Sequence, residues 1–518
     1  PDEPIVIKGG VSPSGVPHIG HLNEIMRGYF VAEVLRERGH EVRQVFTADD
    51  RDRLRAIPRR LADLDGAIVG LGEVDAGALG RNLGKPYTDV PDPFGCCDSY
   101  GEHFTTLLAA DADRLGIDVE VISNTDYYER GEFDPVVRTV LERADRAREV
   151  LGHYQDKVDE DYVPFFAICE DCGQLTETIT AVDLEAGTVD YRCTDAEAGE
   201  DTIEGCGHEG TATFREGKLP WRFEWPAQWA TLDVDFEPFG KDHAEGSWPS
   251  GEEIAREVLG IEPPVPMVYE WFTLEGEALS SSTGNVVTVR EVLDLVEPEV
   301  LRYFFAKEPL KQRDFSIEAI DRLVDEFDRL ERRYHGAADE EATETERELA
   351  ERVYPLLVAD PERERVRIPY TFAAVLGMTD DPALREEIAR REGHIPEDAS
   401  DAAVRAALER VERAQHWARS TDNEFNYELK RAELPEVALS DAEAAALEDL
   451  ADFVAAGHDG EDIQGEIYET AKRHDIDVGD FFATGYRLFF DDEEGPQLGT
   501  FLGKLDREFV VARLRRER

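Results

Sequence analysis

Two histidines three residues apart, in His18-Ile19-Gly20-His21, stand where an apolar run, Ile5-Val6-Ile7, and a flexible stretch, Gly9-Gly10-Val11-Ser12-Pro13-Ser14-Gly15, give way to a helical pattern. At a helix N-terminus the backbone N–H groups and the helix dipole favour an anion, and two imidazoles on the first turn can add donors to phosphate oxygens. Gly20 between them lets a flat base approach the backbone. Far downstream lies a second donor-rich loop, Ser280-Ser281-Ser282-Thr283-Gly284-Asn285. All six cysteines fall between residues 96 and 206. Cys169-x2-Cys172, Cys193 and Cys206-Gly207-His208 have the spacing of a tetrahedral structural zinc site. Five candidates compete there for four positions, and Cys206 is preferred over His208. Asp92, Cys96, Cys97 and His103 crowd into a dozen residues. Each type binds zinc, but adjacent cysteines are more often two small buried side chains.

The elements that must position these groups alternate. Leu22, Ile25, Met26, Tyr29, Phe30 and Leu35 recur at helical spacing up to Gly39, and Glu41–Phe46 then alternate as a strand. Further strand runs at Val119–Ile122, Phe236–Gly240 and Met267–Phe272 flank helical stretches at Phe104–Leu115 and Pro135–Leu151. That is a doubly wound α/β sheet, which binds nucleotides at the carboxyl ends of strands from both halves. Separation in sequence therefore does not keep the two loops apart. From Thr343 onward the pattern is almost wholly helical.

The motifs together resemble one family. His18-Ile19-Gly20-His21 is similar to the HIGH signature of class I aminoacyl-tRNA synthetases, and the serine loop to that class's KMSKS loop. Gly10–Gly15, Asp49-Asp50-Arg51-Asp52-Arg53, Trp221-Arg222-Phe223-Glu224-Trp225-Pro226, Phe239-Gly240-Lys241-Asp242-His243 and Tyr269-Glu270-Trp271 resemble the class I lysyl-tRNA synthetases. The resemblance implies a Rossmann-like catalytic domain in two halves, 1–125 and 216–285, around a connective zinc-binding insert, 126–215. It further implies a helical linker, 286–337, and an all-α anticodon-binding domain, 338–518.

What it implies about chemistry is specific. Lysine is activated by ATP, with Mg²⁺, and passed to the 2′-hydroxyl of the terminal adenosine of tRNA(Lys). The catalytic residues carried over are His18, Gly20, His21, Ser280, Ser281 and Ser282. ATP would lie against Pro13, Ser14, Gly15, His18, Gly20, His21, Gly284 and Asn285. Lysine would lie against Gly10, Ser12, Trp221, His243 and Tyr269. A D-x3-C-C-x5-H metal site beside the active site is also a family property, so Asp92, Cys96, Cys97 and His103 become a second zinc site, with Asp98 the alternative to Asp92. The chain departs from the family at Ala278 and Thr283, which stand where the loop has lysines. That departure keeps open a catalytically weak, zinc-stabilised tRNA-binding paralogue. A class I synthetase for glutamate, glutamine or cysteine is the other alternative.

Physical reasoning on the amino-acid pocket agrees in part. A lysine side chain needs an apolar slot, an aromatic wall for its ammonium and a carboxylate or carbonyl at the end. Trp221 and Tyr269 suit the wall; Asp49, Asp50 and Glu270 are the candidate acceptors. Trp225 reads more readily as a core aromatic, and His243 has a capping role as its bland alternative.

Composition bounds the rest. The chain has 518 residues, 115 Asp and Glu against 57 Lys and Arg, and a net charge of −58. Only 10 of the basic residues are Lys. The acidity is spread through segments that keep periodic apolar faces, which points to a folded protein working in concentrated salt, where the Debye length falls to about 3 Å near 1 M. Local basic patches remain: Arg51, Arg53, Arg55, Arg59 and Arg60, and Arg513, Arg515, Arg516 and Arg518. Each is as readily a salt-paired helix face as a phosphate contact. With no run of 18 apolar residues and no signal-peptide pattern, a cytoplasmic enzyme with no membrane association is expected. Oligomeric state is left open, a monomer being the simpler expectation.

Overall fold

A computed structural model describes residues 3–155, 158–198, 201–279, 285–336, 342–423 and 425–517. The chain divides into two compact units, Pro1–Val292 with Leu301–Ser316, and Leu293–Val300 with Ile317–Arg518.

The first unit is built on five parallel strands. They are β1 (Ile5–Val11), β2 (Val42–Ala48), β3 (Glu120–Ser123), β4 (Phe236–Gly240) and β5 (Val265–Tyr269), in the order β5-β4-β1-β2-β3. Register runs Ile5↔Val42 to Val11↔Ala48, and Gly240 pairs with Tyr269, so the carboxyl ends of β1, β2, β4 and β5 share one edge. The strand order reverses beside β1, the point where such sheets open a ligand crevice. Helix α1 (Ile19–Glu37) follows β1 and buries Ile19, Leu22, Ile25 and Met26. Helix α2 (Tyr100–Arg114) begins at the Ser99 cap, whose hydroxyl accepts from Glu102 N at 3.1 Å.

Between β3 and β4 the insert forms its own core. Tyr128, Val137, Phe165, Tyr191, Phe214 and Phe223 pack there with Cys169 and Cys193. The sequence pattern read one helix from Pro135 to Leu151. The structure instead has two, Asp134–Glu142 and Ala144–Leu151, interrupted at Arg143, whose guanidinium reaches Val258 O at 2.6 Å. Short antiparallel strands then follow, with the cysteines in the segments between them. Helix α3 (Trp221–Leu232) leads back into β4.

In the second unit every described element is a helix. Two start with reciprocal caps, Thr343 with Glu346 and Ser440 with Glu443. At its centre α4 (Asp401–Thr421) sends Arg410, 1% exposed, to Glu297 and Asp328, both at 2.6 Å. Arg367 ties Glu299 and Glu331 alongside. No helix among the described residues is long and apolar enough to cross a membrane.

The basic patches divide between structural and exposed roles. Arg51 is buried and donates to Gly217 O and Arg215 O; Arg53 is buried against Glu177; Arg513 is fully buried on Leu488 O. These three serve the core, while Arg55, Arg59 and Arg60 stay exposed and Arg518 lies outside the described residues. With 115 acidic against 57 basic residues, a net charge of −58 must be screened by counterions. The thermal midpoint is therefore expected to fall steadily between about 3 M and 0.1 M KCl. A midpoint flat across that range would contradict the high-salt reading.

Candidate active site

His18 is the N-cap of α1, with extended backbone at φ −137°, ψ 170°. Its Nδ1 accepts from Gly20 N at 3.0 Å, and His21 Nδ1 accepts from His18 N at 3.3 Å. The pair thus forms a capping box in which imidazoles replace the usual hydroxyl and carboxylate. The rings stack with centroids 3.9 Å apart. Burial and the neighbouring His21 hold His18 well below the ordinary histidine range, and burial takes His21 down to about 4. Both rings are neutral, and because each Nδ1 is an acceptor, the ring proton sits on Nε2. The motif is therefore a helix N-terminus carrying two Nε2–H donors of fixed tautomer.

The serine loop Ser280–Gly284, with most of the carried-over loop residues, lies outside the described residues. Its two ends do not. Asn285 Nδ2 donates to Ala278 O at 2.9 Å, closing the base of the loop. Any side chain at position 20 would meet Leu279 at 3.3 Å, so the base of the loop packs at the HIGH helix. Of the other ATP candidates, Ser14 is exposed while Pro13 and Gly15 are buried, and Ser14 O accepts from Tyr100 OH at 3.0 Å.

A cavity of about 350 Å³ opens at the strand ends next to this cap. It is lined by all five of the lysine-site candidates, Gly10, Ser12, Trp221, His243 and Tyr269, together with Gly20 and His21. Gly10 has no room for a side chain, since a Cβ would lie 2.4 Å from Thr47 Oγ1. Trp221 starts α3, stacks on Trp225 at 5.2 Å and stands 6.3 Å from His243. His243 makes no cap: the N-cap of its short helix is Gly240. Trp225 is a core residue, 3% exposed, with Nε1 on Glu237 at 2.8 Å.

Sequence reasoning missed Glu24 and weighed Asp49 no higher than its neighbours. Glu24 lines the cavity and accepts from Gly10 N at 2.6 Å and Tyr269 OH at 3.1 Å. Burial raises its carboxyl to about 8. Asp49 also lines the cavity, is 4% exposed, and accepts from Asn124 at 2.8 Å and Gln228 at 2.9 Å. Burial, aided by Glu224, raises it to about 7. The other two acceptor candidates are not among the cavity's lining residues. Asp50 is tied to Thr125 N and Glu270 to Lys241, at 2.8 and 2.7 Å. Glu24 had one visible signal: its place six residues after His18, on the turn of α1 that follows the histidines.

Both cysteine-containing clusters assemble. The ligand atoms of Asp92, Cys96, Cys97 and His103 lie within 4.8 Å of one another, as do those of Cys169, Cys172, Cys193 and Cys206. Cys96 Sγ is 3.9 Å from Cys97 Sγ and 3.4 Å from His103 Nδ1. Cys169–Cys206 and Cys172–Cys193 are 3.6 and 3.7 Å apart. Sulfurs ~2.3 Å from a tetrahedral ion stand ~3.8 Å apart, so both sets fit a metal without rearrangement. His103 Nε2 lies 2.9 Å from Ala62 O, which turns Nδ1 toward the cluster, the usual outer partner of a ligating imidazole. His208 is engaged with Glu170 at 2.8 Å, and neither it nor Asp98 belongs to these clusters.

Comparison with known proteins is consistent with this geometry. The family model of class I tRNA synthetases (K) matches residues 1–358. The lysine–tRNA ligase of Haloarcula marismortui is 74% identical over 516 residues, covering 100% of this chain and 94% of that protein. That of Halobacterium salinarum is 70% identical over 518 residues, covering 100% and 94%. That of Pyrococcus horikoshii is 34% identical over 539 residues, covering 99% and 96%.

Proposed function

The chain belongs to the class I tRNA synthetases of the lysine type, and from that premise we propose how its residues divide the work of ligating lysine to tRNA. Its substrates are lysine, ATP with Mg²⁺, and tRNA. The carboxylate of lysine attacks the α-phosphorus of ATP in line, forming the C–O–P bond of lysyl-adenylate as the bond to pyrophosphate breaks. A tRNA ribose hydroxyl, the 2′-hydroxyl of the terminal adenosine, then attacks the activated carbonyl, the C–O bond to the phosphate breaks, and AMP leaves with the hydroxyl proton on its phosphate. Little proton transfer is needed, so rate comes from positioning and from donors aimed at developing charge.

The neutral His18–His21 pair at the start of α1 is the observation that carries this reading. Its Nε2–H groups, at the positive end of the α1 dipole, stabilise the phosphates in the transition state. Gly20 leaves room for adenine, with Pro13, Ser14 and Gly15 on the approach. Ser280, Ser281, Ser282, Gly284 and Asn285 supply hydroxyls and N–H groups to pyrophosphate in place of the family's lysines. Gly10, Ser12, Trp221, His243 and Tyr269 hold lysine. The helices beyond residue 337 recognise the anticodon end.

Two zinc ions complete the proposal, one held by Asp92, Cys96, Cys97 and His103, the other by Cys169, Cys172, Cys193 and Cys206. Bound zinc supplies a structural crosslink. The first site secures the start of α2, whose Tyr100 hydroxyl supports Ser14 O; the second closes the insert.

The test is ATP–pyrophosphate exchange at high salt with each of the twenty amino acids, with and without tRNA. Lysine is expected to support exchange at least about 100-fold faster than any other, because the wrong side chain leaves buried polar groups unpaired. Faster activation of glutamate or cysteine would overturn the lysine pocket. No exchange at all would leave only the tRNA-binding alternative.

A further inference from the structure

The turn between β1 and the His18 cap is tight, with Ser14 N donating to Ser12 O at 2.8 Å. Two buried tyrosines hold it. The Tyr100 hydroxyl donates to Ser14 O at 3.0 Å, and the hydroxyls of Tyr87 and Ser12 are hydrogen-bonded. The two rings stack, with centroids 5.8 Å apart and 23° between their planes. Tyr87 is 5% and Tyr100 0% exposed, in a core shared with Val16, Leu54, Val90 and Phe104. Burial, with Asp52 nearby, raises the Tyr87 phenol to about 12, and burial holds that of Tyr100 well above the ordinary tyrosine range. Both stay protonated. Phenylalanine would fill either place with no polar atom to satisfy, whereas a buried hydroxyl needs a partner. Here both partners belong to the turn.

Each tyrosine is also fixed at its backbone. Tyr87 N donates to Asp52 O at 2.9 Å, and Asp52 lines the cavity at the strand ends. Tyr100 N donates to Val90 O at 2.8 Å, and Tyr100 opens α2 three residues before His103. The stacked pair thus ties the loop after β2, on the cavity side, to the turn before His18. Pinning Ser14 O also fixes the direction of Gly15 N–H, because the peptide between them is planar and trans.

We propose that Tyr100 and Tyr87 are positioning residues for ATP: their hydroxyls hold the Ser12–Gly15 turn, and with it the nucleotide, in register with the lysine carboxylate. Both act through the turn. The inference rests on the reading of Pro13, Ser14 and Gly15 as part of the ATP site. In-line attack on the α-phosphorus needs this register, since a misplacement of ~1 Å costs about 100-fold in such alignments.

Tyr100→Phe and Tyr87→Phe each remove one oxygen and keep the ring. Lysine-dependent ATP–pyrophosphate exchange by the full-length protein at high salt gives KM for ATP and kcat. Equilibrium binding of lysine without ATP, and metal content, are measured beside it. Tyr100→Phe is expected to lower kcat/KM for ATP by about 10–100-fold. Lysine affinity should stay within about twofold of wild type, and metal content should not change. Tyr87→Phe should show the same pattern with a smaller loss, about 3–10-fold, because it holds a rotatable hydroxyl and not the backbone itself. The double variant should lose less than the product of the two, since both hydroxyls hold one turn.

A purely structural role gives a different result. The thermal midpoint would fall, but kcat/KM for ATP per folded molecule would not change, or the affinities for lysine and ATP would fall together. Either outcome would overturn the proposal. If Tyr100→Phe does not fold, Tyr87→Phe decides by the same split between ATP and lysine. Wild type with no lysine-dependent exchange would instead refute the reading of the site from which the proposal starts.

Discussion

His18→Asn should lower lysine-dependent exchange by about 10²–10³-fold while leaving the thermal midpoint almost unchanged, the scale on which loss of one preorganised transition-state donor is felt. The asymmetry comes from the two jobs of this side chain. As N-cap it accepts from Gly20 N, and asparagine does that as well as any residue. As a phosphate donor it offers Nε2–H, one ring further out, which asparagine cannot reach. His18→Ala should lose both, adding about 0.5–2 kcal/mol of destabilisation to the same loss of rate. His21→Ala should also slow exchange on that scale, and lysine affinity measured without ATP should stay within about twofold in both variants. An active His18→Asn enzyme would reduce His18 to a cap.

Cys169→Ser should unfold the insert. Cys169 is 1% exposed and packs in the insert's core, so losing its metal exposes that core as well as breaking one ligand bond. Structural zinc sites contribute roughly 10–16 kcal/mol in small domains, more than a connective insert can replace from packing alone. Metal analysis after desalting is expected to return two zinc ions per chain for wild type and one for Cys169→Ser. Proteolysis should then cut preferentially between residues 126 and 215. His208→Ala should keep two ions, because His208 is engaged with Glu170 rather than with the cluster. One ion in wild type would remove the Asp92–Cys96–Cys97–His103 site. An intact insert in metal-free Cys169→Ser would show that its core folds without zinc.

The parts of this site that could be read from the chain are those whose signal is local. The turn before α1 announces itself within twenty residues, and a cap spans only positions 18 to 21. The spacing of Cys169, Cys172, Cys193 and Cys206 carries its own chemistry, whereas the Asp92–Cys96–Cys97–His103 set is named as a metal site only through the family resemblance. The parallel sheet followed from alternating periods, and its carboxyl edge from the general rule for such sheets. Even so, periodicity ran the helix straight through Arg143, because it measures apolar spacing and not the backbone at one residue.

What tertiary structure alone decided was which polar groups lose water, and beside which partners. Trp221 and Trp225 are four residues apart on one helix, yet one lines the cavity and the other is core. Arg51, Arg53 and Arg513 stood in patches that read as readily as salt-paired helix faces as phosphate contacts, and they are instead buried ties to carbonyls and a carboxylate. Glu24 carries no motif; it becomes part of the site because Tyr269, 245 residues away, and Gly10 close over it. A carboxylate's ionisation depends on burial and on charges brought close by folding. Those neighbours come from β1, β4 and β5, far apart in the chain, so no local pattern could have shown that burial would raise the Glu24 carboxyl while Asp52 is paired with Lys218.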